Sequence, residues 1–141
     1  MTIRIVNSLT RKKEELVPRD GKIIRMYSCG VTVYDRCHIG HARSLYVFDV
    51  ICRYLKYRNY DVKFVRNITD VDDKIINKAR ETGKKFVEVV AENIAAYQAD
   101  LKSLGIPPAD VEPRATENIP EMIKAIEGLI QKGFAYTASG D

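Results

Sequence analysis

The densest chemistry in this chain is His38-Ile39-Gly40-His41, two histidines three residues apart with a glycine between them, and a cysteine-glycine pair, Cys29-Gly30, lies just before it. Imidazoles donate hydrogen bonds to phosphate oxygens, and residues three apart share one face of a helix. A helix starting at Ile39 or Gly40 adds its free N–H groups and positive dipole end, while Gly40 lets a ligand approach the backbone closely. Such a donor set suits the charge that develops when a phosphoryl centre is attacked. The alternative is that both rings only satisfy local backbone groups, and the tetrapeptide alone leaves both readings open.

Cys29 follows a strand and precedes Gly30, which turns its sulfur toward a pocket mouth as nucleophile or zinc ligand. The competing reading is an inert thiol, the commoner fate of a lone cysteine at a strand end. A closed zinc site from Cys29, Cys37, His38 and His41 would have a spacing unlike the usual paired knuckles. Cys52 falls near the apolar stripe of a helix, where packing is its expected role. Asp70, Asp72 and Asp73 complement the dipole of a helix's first turn without any metal. Asn67 and Thr69 are the better candidates for touching a ligand.

These residues need a scaffold, and the apolar pattern supplies one. Residues 23–28 read as a strand without clean alternation, as in a parallel sheet covered on both faces. Residues 41–58 read as a helix burying Val47, Val50, Ile51, Tyr54 and Leu55, and 62–68 as a second strand. A crossover of this length joins neighbouring parallel strands, so both end on one edge and Cys29 to Thr32 face Asn67 to Asp70 across a crevice.

Further on, Thr69-Asp70 reads as the N-cap of a helix over 70–81. A longer helix over 84–104 buries Phe86, Val89, Val90, Ile94, Tyr97 and Leu101. Residues 111–114 suit a short edge strand because of Pro113. Thr116 reads as the cap of a last helix to residue 132, with Ile119, Ile123, Ile126 and Ile130 on one face. Before all this, Ile3 to Val6 reads as a short strand and 9–20 as an exposed charged connection. After it, 134–137 reads as a new strand and Ser139-Gly140-Asp141 as a hairpin turn. The fold class is α/β.

At 45% hydrophobic and 30% charged, the composition is that of a soluble globular protein, and no apolar run is long enough to span a membrane. No apolar leader block opens the sequence, which implies a cytoplasmic protein, and the three cysteines are then reduced thiols. A net charge of +4 permits a phosphate-bearing partner without demanding one.

Taken together, Cys29-Gly30-Val31-Thr32-Val33-Tyr34-Asp35, His38-Ile39-Gly40-His41, the run from Asn67-Ile68-Thr69-Asp70 through Asp72-Asp73-Lys74-Ile75-Ile76, and Pro113-Arg114-Ala115-Thr116-Glu117 resemble cysteinyl-tRNA synthetase, a class I aminoacyl-tRNA synthetase. The resemblance implies the first half of a Rossmann-type nucleotide-binding fold over residues 1–133, with 134–141 opening the connective domain inserted between its halves. It implies activation of L-cysteine by ATP with Mg2+ to cysteinyl adenylate, then transfer to the 3' end of the cysteine tRNA. Cys29 becomes one ligand of a Zn2+ ion that takes the substrate's thiolate and so rejects serine. His38, Ile39, Gly40 and His41 hold the ATP phosphates, with the two histidines catalytic. Gly30, Val31, Thr32, Ser44, Asn67, Ile68 and Thr69 line the place of the cysteine and adenylate moieties.

The sequence departs from the family pattern at Val31, where proline is common, and at Asn118, where histidine is frequent. Family members are several times longer and carry the remaining zinc ligands, a second lysine- and serine-rich signature and an anticodon-reading domain. These residues alone are therefore expected to be inactive, and the full-length protein to be a monomer without membrane contact. Two other readings share part of the pattern: a cysteine ligase of mycothiol biosynthesis, and a non-catalytic paralogue that binds a nucleotide or a protein.

Overall fold

The computed structural model describes residues 2–139. Two short strands open the chain, β1 (Arg4–Asn7) and β2 (Lys12–Glu15), paired antiparallel with Arg4 opposite Glu15 and Asn7 opposite Lys12. The Asn7 side chain starts the turn by accepting from Leu9 N at 3.0 Å, and Arg11 closes it with φ 56°. The expected charged connection over 9–20 thus contains a strand. Arg4 facing Glu15 and the Asn7 amide donating to Glu14 at 3.0 Å help it form, and the charged residues of β2 suit an exposed edge.

The central unit is β3 (Ile23–Ser28), α1 (Ile39–Tyr57) and β4 (Asp61–Arg66), with β3 and β4 parallel from Ile23 opposite Asp61 to Ser28 opposite Arg66. Val111 and Arg114 bridge in parallel to Val65 and Ile68, so the expected edge strand is present as two isolated bridges on the far side of β4. Pro113 fits there because its carbonyl accepts from Ile68 N at 2.9 Å while its missing donor is not needed. Along β4, Val62, Phe64 and Arg66 are buried and Lys63 is exposed; beside them Tyr27 of β3 is 59% exposed. One face of the sheet is therefore open within this chain, contrary to the expectation of two covered faces.

α1 buries Leu45, Asp49, Cys52 and Leu55, whereas Val47, Val50, Ile51 and Tyr54 are exposed. The expected stripe is thus the outward one, and only Leu55 belongs to the buried side. Asp49 is tolerated inside because Arg53 Nε reaches its carboxylate at 2.8 Å, and the same guanidinium donates to Gly105 O at 2.9 Å. Cys52 packs with Ile24, Leu55, Val62 and Phe64, as expected of a structural thiol.

Two further helices, α2 (Asp73–Thr82) and α3 (Phe86–Ser103), cover Val33 and Ile68 with Ile75, Val89, Val90 and Ile94. Tyr97 and Leu101 of α3 meet Leu45 and Ile106 in a third cluster. The N-cap of α2 is Asp72, whose side chain accepts from Lys74 N at 2.8 Å, rather than Thr69-Asp70. Asp70 is buried instead, accepting from Thr116 N at 2.9 Å and Thr116 Oγ1 at 2.6 Å. Thr116 is therefore spent on Asp70 and does not cap the last helix; it starts a 3-10 turn that leads into α4 (Ile119–Gln131).

The apolar face of α4 exists, but Ile119, Ile123, Ile126 and Ile130 are between 44% and 53% exposed. Residues 134–137 form no strand and expose Phe134 and Tyr136. The hairpin turn expected after them involves Gly140 and Asp141, which lie outside the described residues.

Candidate functional site

Ser28 pairs with Arg66, and the ladder resumes where Thr32 pairs with Thr69. Between those pairs stand Cys29, Gly30 and Val31 on one strand but only Asn67 and Ile68 on the other. The extra residue is a β-bulge, a device that re-aims a side chain and that clusters beside functional sites. It leaves Cys29 exposed at the sheet's carboxyl edge. Beyond it, Thr69 N donates to Val31 O at 3.1 Å and Val33 N to Thr69 O at 3.2 Å. Gly30 has no alternative here, since a Cβ on it would lie 1.5 Å from the Asn67 carbonyl oxygen.

At the other side of the crevice α1 begins at Ile39 with His38 as its N-cap. Nδ1 of His38 accepts from Gly40 N at 3.0 Å, and Nδ1 of His41 accepts from His38 N at 3.3 Å. This is a capping box with imidazoles in place of the usual hydroxyl and carboxylate. An acceptor nitrogen carries no proton, so this bonding selects for each ring the neutral tautomer with its proton on Nε2. Burial, and then the neighbouring His38, hold the His41 pKa below the usual histidine range. The ring centroids are 4.0 Å apart. A Cβ on Gly40 would lie 2.7 Å from His38 Cε1, so the glycine leaves room for the capping ring as well as for a ligand.

The two readings of the histidines therefore merge. One nitrogen of each ring satisfies the backbone, and that same bond fixes the tautomer that leaves Nε2–H as a donor. No acidic residue lies in the first turn of α1, so the dipole end is not neutralised from within the helix. What results is a pair of directed, uncharged donors at a helix N-terminus, able to bind phosphate oxygens. An open pocket beside His38 and Ile39 is walled on its far side by Asp100, Ser103 and Leu104.

Gly30, Val31, Thr32, Asn67, Ile68 and Thr69 thus form one group, and His38, Ile39, Gly40 and His41 another. Among the described residues no hydrogen bond joins the two. Ser44 is exposed on the second turn of α1 and belongs to the second group by position. No three histidine, cysteine or acidic side chains among the described residues come together to hold a metal ion. The exposed Cys29 sulfur fits the part of a single contributed ligand, not a whole site.

Three residues hold this edge in place: Arg66, which sequence reasoning passed over, Tyr97, which it read only as a buried helix position, and Asp70, which it read only as a helix cap or first-turn acid. Arg66, 1% exposed, pairs with Glu112 at 2.7 Å and lies over the rings of Phe64 and Tyr97. Tyr97 is buried enough that its phenol is pushed up to about 12. The third is Asp70, through its two bonds to Thr116. A charged residue at an inward position of an alternating strand was the available signal for Arg66. Lys78 also ties α2 to the loop after Val33, through Asp35 at 2.8 Å.

A parallel strand-helix-strand unit with its chemistry gathered at the carboxyl ends of the strands defines an open α/β domain, and in such domains that edge binds the ligand. Over residues 15–141 the sequence matches the family described as tRNA synthetases class I (C) catalytic domain, and the chain belongs to that family. It is 54% identical over 140 residues to the cysteine--tRNA ligase of Maridesulfovibrio salexigens, covering 99% of this chain and 29% of that protein. To the cysteine--tRNA ligase of Aquifex aeolicus it is 52% identical, covering 100% of this chain and 28% of the relative. For that of Francisella tularensis subsp. novicida the figures are 57% identity, 96% and 30%. The chain thus spans less than a third of the length of these relatives.

Proposed function

We propose that these residues are the N-terminal part of the catalytic domain of a cysteine--tRNA ligase, which activates L-cysteine with ATP and transfers it to the 3' end of its tRNA in the cytoplasm. The observation that carries the reading is identity above one half with ligases of that name along nearly the whole chain. On this reading residues 1–133 are the first half of the nucleotide-binding domain and 134–141 open the connective insertion. The relatives' name favours this activity over a mycothiol-pathway ligase or a non-catalytic paralogue.

His38 and His41 then present Nε2–H to the phosphates of ATP, which enters with Mg2+, and stabilise the charge that grows on the α-phosphate as the cysteine carboxylate attacks. Pyrophosphate leaves, and the mixed anhydride keeps the acyl group ready for the tRNA ribose. Because the rings are neutral, they donate hydrogen bonds without giving up a proton. Gly30, Val31, Thr32, Ile68 and Thr69 form the wall for the amino acid and adenylate, with Ser44 beyond the histidines. Cys29 would be one ligand of a zinc ion that supplies affinity for the substrate's sulfur and so discriminates against serine. The remaining ligands lie outside these residues.

Cysteine-dependent exchange of pyrophosphate into ATP, measured on the full-length protein, tests the reading. Exchange is expected with cysteine and not with serine, and the protein is expected to be a monomer. Residues 1–141 alone are expected to show none. Absence of cysteine-dependent exchange in the full-length protein overturns the assignment.

A further inference from the structure

The sequence suggested Asn67 as a residue that touches the ligand, but its side chain is already engaged within the protein. Oδ1 accepts from Gly30 N at 2.8 Å and from Tyr27 Oη at 3.0 Å, and Nδ2 donates to Thr69 Oγ1 at 3.0 Å. These bonds sit at the bulge, where the extra residue breaks the backbone ladder and leaves Gly30 N–H without its regular partner. The side-chain Oδ1 of Asn67 replaces that partner. One planar amide therefore ties together the last turn of β3, the residue after Cys29 and the far wall at Thr69.

We infer that Asn67 is a positioning residue for the amino-acid half of the crevice: it holds the bulge that aims Cys29 and does not itself touch the substrate. The inference rests on the reading given under Proposed function, since only that reading makes the aim of Cys29 matter for cysteine. Physical chemistry distinguishes the acceptor from the donor. In Asn67→Asp the carboxylate still accepts from Gly30 N and Tyr27 Oη, and the Thr69 hydroxyl can reverse and donate to it. In Asn67→Ala a part-buried N–H loses its acceptor, a loss on the scale of a tenfold change in an equilibrium.

The test uses the full-length protein in two arms. In the first, hydrogen exchange is followed by mass spectrometry on the peptide containing Gly30. N67A is expected to exchange about tenfold faster there, N67D at the wild-type rate, and Tyr27→Phe in between. In the second, pyrophosphate exchange is measured. N67A is expected to raise KM for cysteine about tenfold with KM for ATP within about twofold, and N67D to restore it. A general loss of folding would lower kcat and leave both KM values in place.

Unchanged protection at Gly30 in N67A overturns the inference, as does an N67D variant as impaired as N67A. Should N67A not fold, Y27F and N67D decide through the first arm: Gly30 must loosen in the one and not in the other. Absence of cysteine-dependent exchange in the unmutated protein would instead refute the assigned activity, while the first arm still decides the role of Asn67.

Discussion

Replacing Gly40 with alanine separates the two jobs of the histidine pair. The added Cβ would sit 2.7 Å from His38 Cε1 and 3.0 Å from its Nδ1, contacts that force the imidazole out of its capping position. The Gly40 N–H to Nδ1 bond at 3.0 Å is then lost. Loss of an N-cap costs about 0.5 to 2 kcal/mol, and alanine in place of glycine returns about 1 kcal/mol of helix propensity. Net stability should therefore fall by no more than about 1 kcal/mol. The chemistry fares worse, because the displaced ring no longer has its tautomer fixed or its Nε2–H aimed. Removing one such preorganised donor costs roughly a hundred- to a thousandfold in kcat. The assay is pyrophosphate exchange by full-length G40A at saturating cysteine and ATP, beside a thermal melt. A folded G40A with kcat within about threefold of the parent would refute the capping-ring argument.

Two other outcomes follow from the same geometry. Because the folded protein holds His41 below its ordinary pKa of 6.5, the neutral form is the native one. Its contribution to stability is full above pH 6.5 and is lost as pH falls through the lower folded value. Phosphate-dependent activity should decline over that same window even though protonation adds positive charge, and an NMR titration midpoint above 6.5 for His41 would refute this. Arg66→Ala should destabilise by about 3 to 5 kcal/mol in urea denaturation, because it leaves the Glu112 carboxylate without its buried partner. Joint replacement by Arg66→Met and Glu112→Leu should recover most of that loss. An R66A effect below about 1 kcal/mol would mean that water replaces the guanidinium freely.

Periodicity made the backbone of the site readable where one signal dominated. The apolar positions of α3 at Val89, Val90, Ile94, Tyr97 and Leu101 are buried as spaced, and Ile23–Ser28 pairs in parallel with β4. It misled in α1 because both sides of that helix are apolar and Asp49 disguises the buried one; only the Arg53 contact, invisible in spacing, makes the aspartate acceptable inside. Lys12–Glu15 was hidden because a strand made of charged residues carries no burial signal. The site's residue types were legible, but their division of labour was not. Asn67 and Thr116 are engaged by groups distant in sequence, and a bulge is a count of residues between two pairings, which requires the partner strand to be known.

That count constrains which changes the segment can accept. Removing one of Cys29, Gly30 and Val31 would leave two residues opposite Asn67 and Ile68, a regular ladder in which Thr32 still meets Thr69 but Cys29 loses the offset that aims it. Val33, in the core against Ile68 and Ile75, would keep its place while the edge beside it changed. Exchanges of side chain at Val31 leave that offset intact, which accords with valine replacing the proline common there. Deletions and insertions between Ser28 and Thr32 do not, because they remove or lengthen the bulge that places Cys29.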